Sequence, residues 1–116
     1  MKNLTLEAFL DEPPPLRNSW LKEPGLEVHV RLTERLVCGE RVETLDIASV
    51  SARRQGSGYF TAFLAKAEKE ARERKLTIFI ENVISKRFSD FFFKRGYCEV
   101  RSDPQCFALF LAYNQE

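Results

Sequence analysis

The apolar positions change period several times along the chain, and each change marks an element. Leu6, Phe9 and Leu10 recur at helical spacing behind Thr5, a cap candidate, and the pattern stops at Pro13-Pro14-Pro15. Leu16 to Glu23, carrying Trp20, reads as a second short helix closed by Pro24-Gly25. From Leu26 the period falls to two: Leu26, Val28, Val30 and Leu32 share one face of a strand that continues through Leu36-Val37. Cys38-Gly39-Glu40-Arg41 is a turn, so this strand and Val42 to Ser51 form an antiparallel hairpin. Helical spacing returns at Tyr59 to Arg74, where Phe60, Phe63, Leu64, Ala67 and Ala71 make one stripe. Leu76 to Glu81 is a buried β-type run. Ser85 can cap a helix with Phe88, Phe91 and Phe92 inward and Gly96 at its end. Tyr97 to Val100 and Cys106 to Leu111 read as two last strands around Ser102-Asp103-Pro104.

Strand, helix, strand at Leu45 to Glu81 demands a parallel or crossover pairing, which makes the chain mixed α and β. The solvent side of the long helix alternates charge, with Glu68/Arg72 and Glu70/Arg74 at i, i+4, and reads as a solvated face. Phe93 cannot share a core face with both Phe91 and Phe92; it is a second-layer contact, or an exposed patch.

Bulk properties remove whole classes of function. The chain has 116 residues, the size of one domain, and a formal net charge of +1, which gives nucleic acid or a membrane surface no overall attraction. No apolar run is long enough to span a bilayer and no secretory leader is recognisable, so a cytoplasmic protein is expected. Cys38, Cys98 and Cys106 form no Cys-x-x-Cys pair and are expected to be reduced and mostly buried; no metal site is signalled. His29 falls on the polar phase of its strand and reads as a surface residue.

The candidate chemistry lies between the Leu45 strand and the long helix. Ala52-Arg53-Arg54-Gln55-Gly56-Ser57-Gly58 is a basic, glycine-bearing turn at a helix N-terminus, where unpartnered N–H groups and the helix dipole favour a phosphate. A P-loop would require Gly-Lys-Ser/Thr, but Tyr59-Phe60 follows Gly58. A dinucleotide fingerprint would want glycine at Thr61 and a second mononucleotide half, although Glu81 fits its acidic ribose position.

From about Val42 to Val100 the sequence resembles the GNAT acyltransferase superfamily, which binds acetyl-CoA at a strand-turn-helix with a Q/R-x-x-G-x-G/A turn. Gln55-Gly56-Ser57-Gly58-Tyr59-Phe60 carries the resemblance, with Phe60 in place of the last small residue; a frame beginning at Arg53 also meets the letters. In the family's second landmark, Asn-x-x-Ala then Tyr then Gly-Phe, Ser85 stands for the Asn, Phe88 for the Ala and Phe92 for the Tyr, before Gly96-Tyr97. The resemblance implies an α/β (α+β) fold with a mixed, mostly antiparallel twisted sheet flanked by helices, a single domain over 1–116. Residues 1–25 would be a variable helical segment and 42–100 the acetyl-CoA-binding core.

It also implies a mechanism. Main-chain groups of Ile47, Ala48, Ser49 and Val50 would hold the acetyl-pantetheine arm, the amides of Gln55 to Phe60, Ser57 and Tyr59 among them, the pyrophosphate, and Arg53 and Arg54 the outer phosphates. An amine of a small molecule or protein would attack the thioester directly, with Glu81 or Asp46 as base. Phe92 has no proton for the leaving thiolate, so Tyr97, Tyr59 or water would supply it. The expected partners are acetyl-CoA and an amine, with no nucleic acid or membrane; a homodimer is left open. The alternative is a non-catalytic GNAT-like module that binds CoA or a protein partner.

Overall fold

The computed structural model describes residues 4–11, 18–37, 39–52, 58–81, 86–100 and 107–109. Helix α1 spans Leu6–Asp11, strands β1 Asn18–Glu23, β2 Leu26–Val37 and β3 Glu40–Ala52, helix α2 Tyr59–Arg74, strand β4 Thr77–Ile80, helix α3 Lys86–Lys94, and strands β5 Cys98–Glu99 and β6 Phe107–Leu109. The six strands form one sheet in the order β1-β2-β3-β4-β6-β5. Every neighbouring pair is antiparallel except β3 and β4, which the intervening helix α2 makes parallel.

Of the helix expected over Leu16 to Glu23, the described part, Asn18–Glu23, is a strand instead. Leu21 and Glu23 are buried while Trp20 and Lys22 are exposed, a period of two. A glutamate in an inward position disguises that alternation. Glu23 is buried because its Oε2 accepts the Leu6 amide of α1 at 2.7 Å and its Oε1 accepts Lys66 Nζ at 2.7 Å, so partners far along the chain satisfy it.

Two tight links set the meander. Glu23 pairs with Leu26 around Pro24-Gly25, and Val37 pairs with Glu40, with Gly25 at φ 73° and Gly39 at φ 82° supplying the left-handed turn residues. α3 stops in a Schellman arrangement: the Tyr97 amide donates to Phe92 O, the Gly96 amide donates to Phe93 O, and Gly96 takes φ 95°.

Phe63, Leu64, Ala67 and Ala71 of α2 pack with Leu6 and Phe9 of α1, Phe92 of α3, and Val28, Val30, Leu45, Ile47, Ile78 and Ile80 of the sheet. The helical stripe and the strand alternation thus meet in one apolar layer. The neighbouring strand positions, Arg31, Thr44, Asp46, Thr77 and Phe79, belong to the opposite face, and Thr44, Asp46, Thr77 and Phe79 are buried there too. No helix among the described residues is long and apolar enough to cross a membrane.

Candidate functional site

Among the described residues the parallel pairing of β3 and β4 covers Thr44–Ile47 against Thr77–Ile80, and the Glu81 amide extends it by donating to Ile47 O at 3.2 Å. Beyond that point β3 runs on to Ala52 with β2 as its paired neighbour. Among the described residues the sheet therefore opens between the end of β4 and the second half of β3. At the same place the β2–β3 register slips: Val30 faces Ile47 but His29 faces Ser49, so Ala48 is an inserted bulge residue. A bulge leaves main-chain groups outside the ladder, here beside the opening. Ser49 and Val50 are exposed along it.

α2 begins at the mouth of this opening. Its N-cap is Gly58, at φ 83° and ψ 0°, with no side-chain cap, and the first intrahelical bond runs from the Ala62 amide to Gly58 O at 3.0 Å. The amides of Tyr59, Phe60 and Thr61 come before that first bond, at the positive end of the helix dipole. Tyr59 anchors this end. Its ring covers Gly25 so closely that a Cβ there would come within 2.2 Å of it. Arg53, Arg54, Gln55, Gly56 and Ser57 lie outside the described residues, as do Ser85 and the side chain of Phe88.

Phe60, the unexpected large residue at the end of the motif, turns toward α3. Its ring centroid lies 6.3 Å from Phe91 and 6.2 Å from Phe92, the latter edge-on. Phe92 is 2% exposed and sits 5.1 Å from Tyr97. Phe93 is exposed.

The sequence-derived acid and base candidates stand in different surroundings. Tyr97 is buried, and its hydroxyl donates to Glu68 Oε2 of α2 at 3.0 Å. Glu68 also accepts Arg95, with Nε at 3.1 Å, so it pairs across elements with Arg95 and is not simply part of a solvated helix face. Burial, and after it the Glu68 carboxylate, push the Tyr97 phenol well above the ordinary tyrosine range. Asp46 is fully buried on β3 and accepts Arg31 Nε, Arg35 Nε and Nη2, and the Thr44 hydroxyl at 2.6 Å. Glu81, just past β4, accepts both Arg31 and Arg35 at Oε2, with Arg35 Nη2 at 2.9 Å. Arg35 further lies 4.1 Å over the Phe79 ring.

Arg31 and Arg35 were not singled out from the sequence. Their signal is present: both fall on the polar phase of β2, and the hairpin register sets Arg31 directly across from Asp46. His29 is half-buried, with its ring 5.3 Å from that of Trp20, so it is not a fully solvated residue. Cys98, expected to be buried, is exposed and free; Cys38 and Cys106 lie outside the described residues.

No protein-family model matches the chain, and no curated protein matches it in sequence. Solved structures do match in fold. A tyrosine-to-phenylalanine mutant of the AtaT toxin, bound to the C-terminus of the antitoxin AtaR and acetyl-CoA, superposes with a TM-score of 0.61 at 12% identity, over 76% of this chain and 59% of that one. The KacTA–DNA complex gives the same TM-score of 0.61 at 10% identity, over 76% and 59%. A second structure of the AtaT mutant bound to the AtaR C-terminus gives 0.61 at 14% identity, with the same coverage. The chain thus spans about 59% of the length of the solved chains it matches. These neighbours are acetyltransferase toxins of the GNAT superfamily, and the present chain, with its mostly antiparallel sheet opened beside a bulged strand, has the GNAT fold.

Proposed function

We propose that the chain is an acetyl-CoA-dependent N-acetyltransferase acting on an amine of a small molecule or protein. The observation that carries this reading is the opening between β3 and β4 at the bulged Ala48, with the uncapped N-terminus of α2 at its mouth. An extended acetyl-pantetheine arm would add to the edge of β3 at Ala48–Val50, beyond Ile47, whose carbonyl is already taken by the Glu81 amide, as strands accept a further strand. Its pyrophosphate would lie on the amides at the start of α2, with the Arg53-to-Ser57 turn completing the cradle. The bulge would offer main-chain N–H to the oxyanion that forms when the amine attacks. A solved neighbour holding acetyl-CoA supports the same ligand here.

In this reading Glu81, fixed at Oε2 by Arg31 and Arg35, orients the incoming amine at the closed end of the opening. Tyr97 holds the end of α3 against α2 through Glu68, and a phenol so placed keeps its proton. The leaving thiolate is taken up by solvent, since a thiol with an ordinary pKa of about 8.5 departs without an enzyme acid at modest cost. Residues 42–100 would form the acetyl-CoA-binding core of one domain.

The neighbours were solved with an antitoxin peptide or DNA, which leaves the expectation of no nucleic-acid partner without support. A second reading, a GNAT-shaped module that binds CoA without turnover, draws on Phe92 at the position where the family places its tyrosine. The test is release of CoA thiol from acetyl-CoA by the purified protein, with spermidine and a lysine-bearing peptide as amines. Amine-dependent release supports the enzyme; tight acetyl-CoA binding with no release supports the module.

A further inference from the structure

The face of the sheet away from α2 carries a second feature next to the bulge. Across three strands Trp20, His29 and Ser49 are directly paired, and the next residue back on β3 is the bulged Ala48. Paired residues on one face stand roughly 5 Å apart at Cβ, so the imidazole neighbours the end of the opening where an acetyl group on β3 would stop. Trp20 is 48% exposed, and its ring walls His29 on the side away from β3.

The charged and titratable groups on this face fall into order around His29. Lys22 of β1 and Glu27 of β2 lie one row toward the turn, while Arg31 of β2 and Asp46 of β3 lie one row the other way, with Glu81 beyond β4. Asp46 and Glu81 are engaged by Arg31 and Arg35, and Tyr97 by Glu68. The His29 ring nitrogens have no hydrogen-bond partner among the described residues. Of the acid–base side chains around the bulge, His29 therefore has proton-accepting capacity uncommitted to another residue.

We infer that His29 is the proton acceptor on the amine side of the transfer and that Trp20 walls the subsite in which the amine sits. This rests on the acetyl-CoA reading above. An acceptor arriving as an ammonium ion gives one proton to the neutral imidazole, and the freed lone pair attacks the thioester carbonyl carbon. The C–N bond forms, the C–S bond breaks and CoA leaves as thiolate. The second nitrogen proton passes through water to that thiolate, and His29 returns its own proton to solvent. A neutral imidazole has one nitrogen that can accept this proton and pass it on to water.

The chain contains one histidine and one tryptophan, so each gives an unambiguous signal in tag-free protein. The experiment is NMR of protein carrying nitrogen-15 histidine and glycine, titrated with CoA and separately with acetyl-CoA. Both ligands should shift the Gly58 amide, and the His29 ring signals should move further with acetyl-CoA, because the acetyl group is the difference between the two. Identical His29 signals in both complexes, with Gly58 shifted by both, overturn the placement of His29 while leaving the ligand assignment standing. An unmoved Gly58 removes the acetyl-CoA reading and this inference with it. In turnover, His29→Gln should lower the rate by about 100-fold or more and remove the ascending limb of the pH–rate profile. Retention of that limb contradicts proton acceptance by His29.

Discussion

Phe60 and Phe92 touch each other. These are two positions at which the sequence departs from the GNAT pattern, and their rings meet edge-on with centroids 6.2 Å apart, in a cluster completed by Phe91 and Tyr97. A large residue at the start of α2 and a hydroxyl-free ring on α3 thus form one packing unit. Restoring the family's tyrosine alone should fail. Phe92→Tyr puts a hydroxyl where the ring is 2% exposed, and an unpartnered buried hydroxyl costs about 1–3 kcal/mol. Adding Phe60→Ala opens space beside it, so the two substitutions should be non-additive in urea unfolding, the double mutant being more stable than the sum of the singles predicts. Strict additivity would show that the two rings do not share a space.

Tyr97 predicts an alkaline signature. Its folded pKa lies above the unfolded value of about 10, first through burial and then through Glu68. The unfolded chain therefore loses its phenolic proton before the native state does, and stability is intact below pH 10 and falls as pH rises past it. Tyr97→Phe should flatten that fall and cost about 1 kcal/mol at pH 7 through the lost hydrogen bond. It should leave the per-molecule acetyl-transfer rate unchanged; a large loss of kcat would assign Tyr97 to the chemistry.

The buried carboxylate of Asp46 predicts a structural penalty. It is 0% exposed and satisfied by Arg31, Arg35 and Thr44, so Asp46→Asn removes one of the two carboxylates that the guanidinium groups share and leaves them Glu81. Breaking such a pair costs about 3–5 kcal/mol, somewhat less here because both arginines keep part of their surface in water. Denaturant midpoints check this. A change under about 0.5 kcal/mol, as at an unremarkable surface position, would contradict the buried network.

Long periodic segments were readable because a single local signal defined each one. Tyr59–Arg74 is a helix with the stripe its sequence shows, and the β2–β3 hairpin and the parallel β4 follow from alternation and connection length. β1 was not readable, because the alternation that identifies it includes Glu23, whose burial depends on Leu6 and Lys66. The same limit applies to the site. The glycine turn announces itself locally, but the ties of Glu81 to Arg31, Asp46 to Arg35 and Tyr97 to Glu68 join residues 50, 11 and 29 positions apart. By local pattern His29 reads as a surface residue, whereas its pairing with Trp20 and Ser49 sets it beside a bulge that no short pattern reveals.

Gly58 separates charge from backbone geometry. At φ 83°, with open space where a Cβ would lie, any side chain pays a conformational penalty, and Asn and Asp bear it most easily. Gly58→Asn should weaken acetyl-CoA binding modestly, whereas Gly58→Asp, nearly isosteric, should set a carboxylate against the pyrophosphate and weaken it at least tenfold more, about 1.4 kcal/mol. Equal effects of the two would remove Gly58 from the phosphate site.

The most direct measurement is calorimetric titration of the purified protein with acetyl-CoA, CoA and NAD in parallel. The account predicts saturable one-to-one binding of acetyl-CoA and CoA, weakened by salt as expected for a phosphate held by charge, and no binding of NAD. Binding of NAD, or of none of the three, would contradict the assignment of the β3–β4 opening as an acetyl-CoA site.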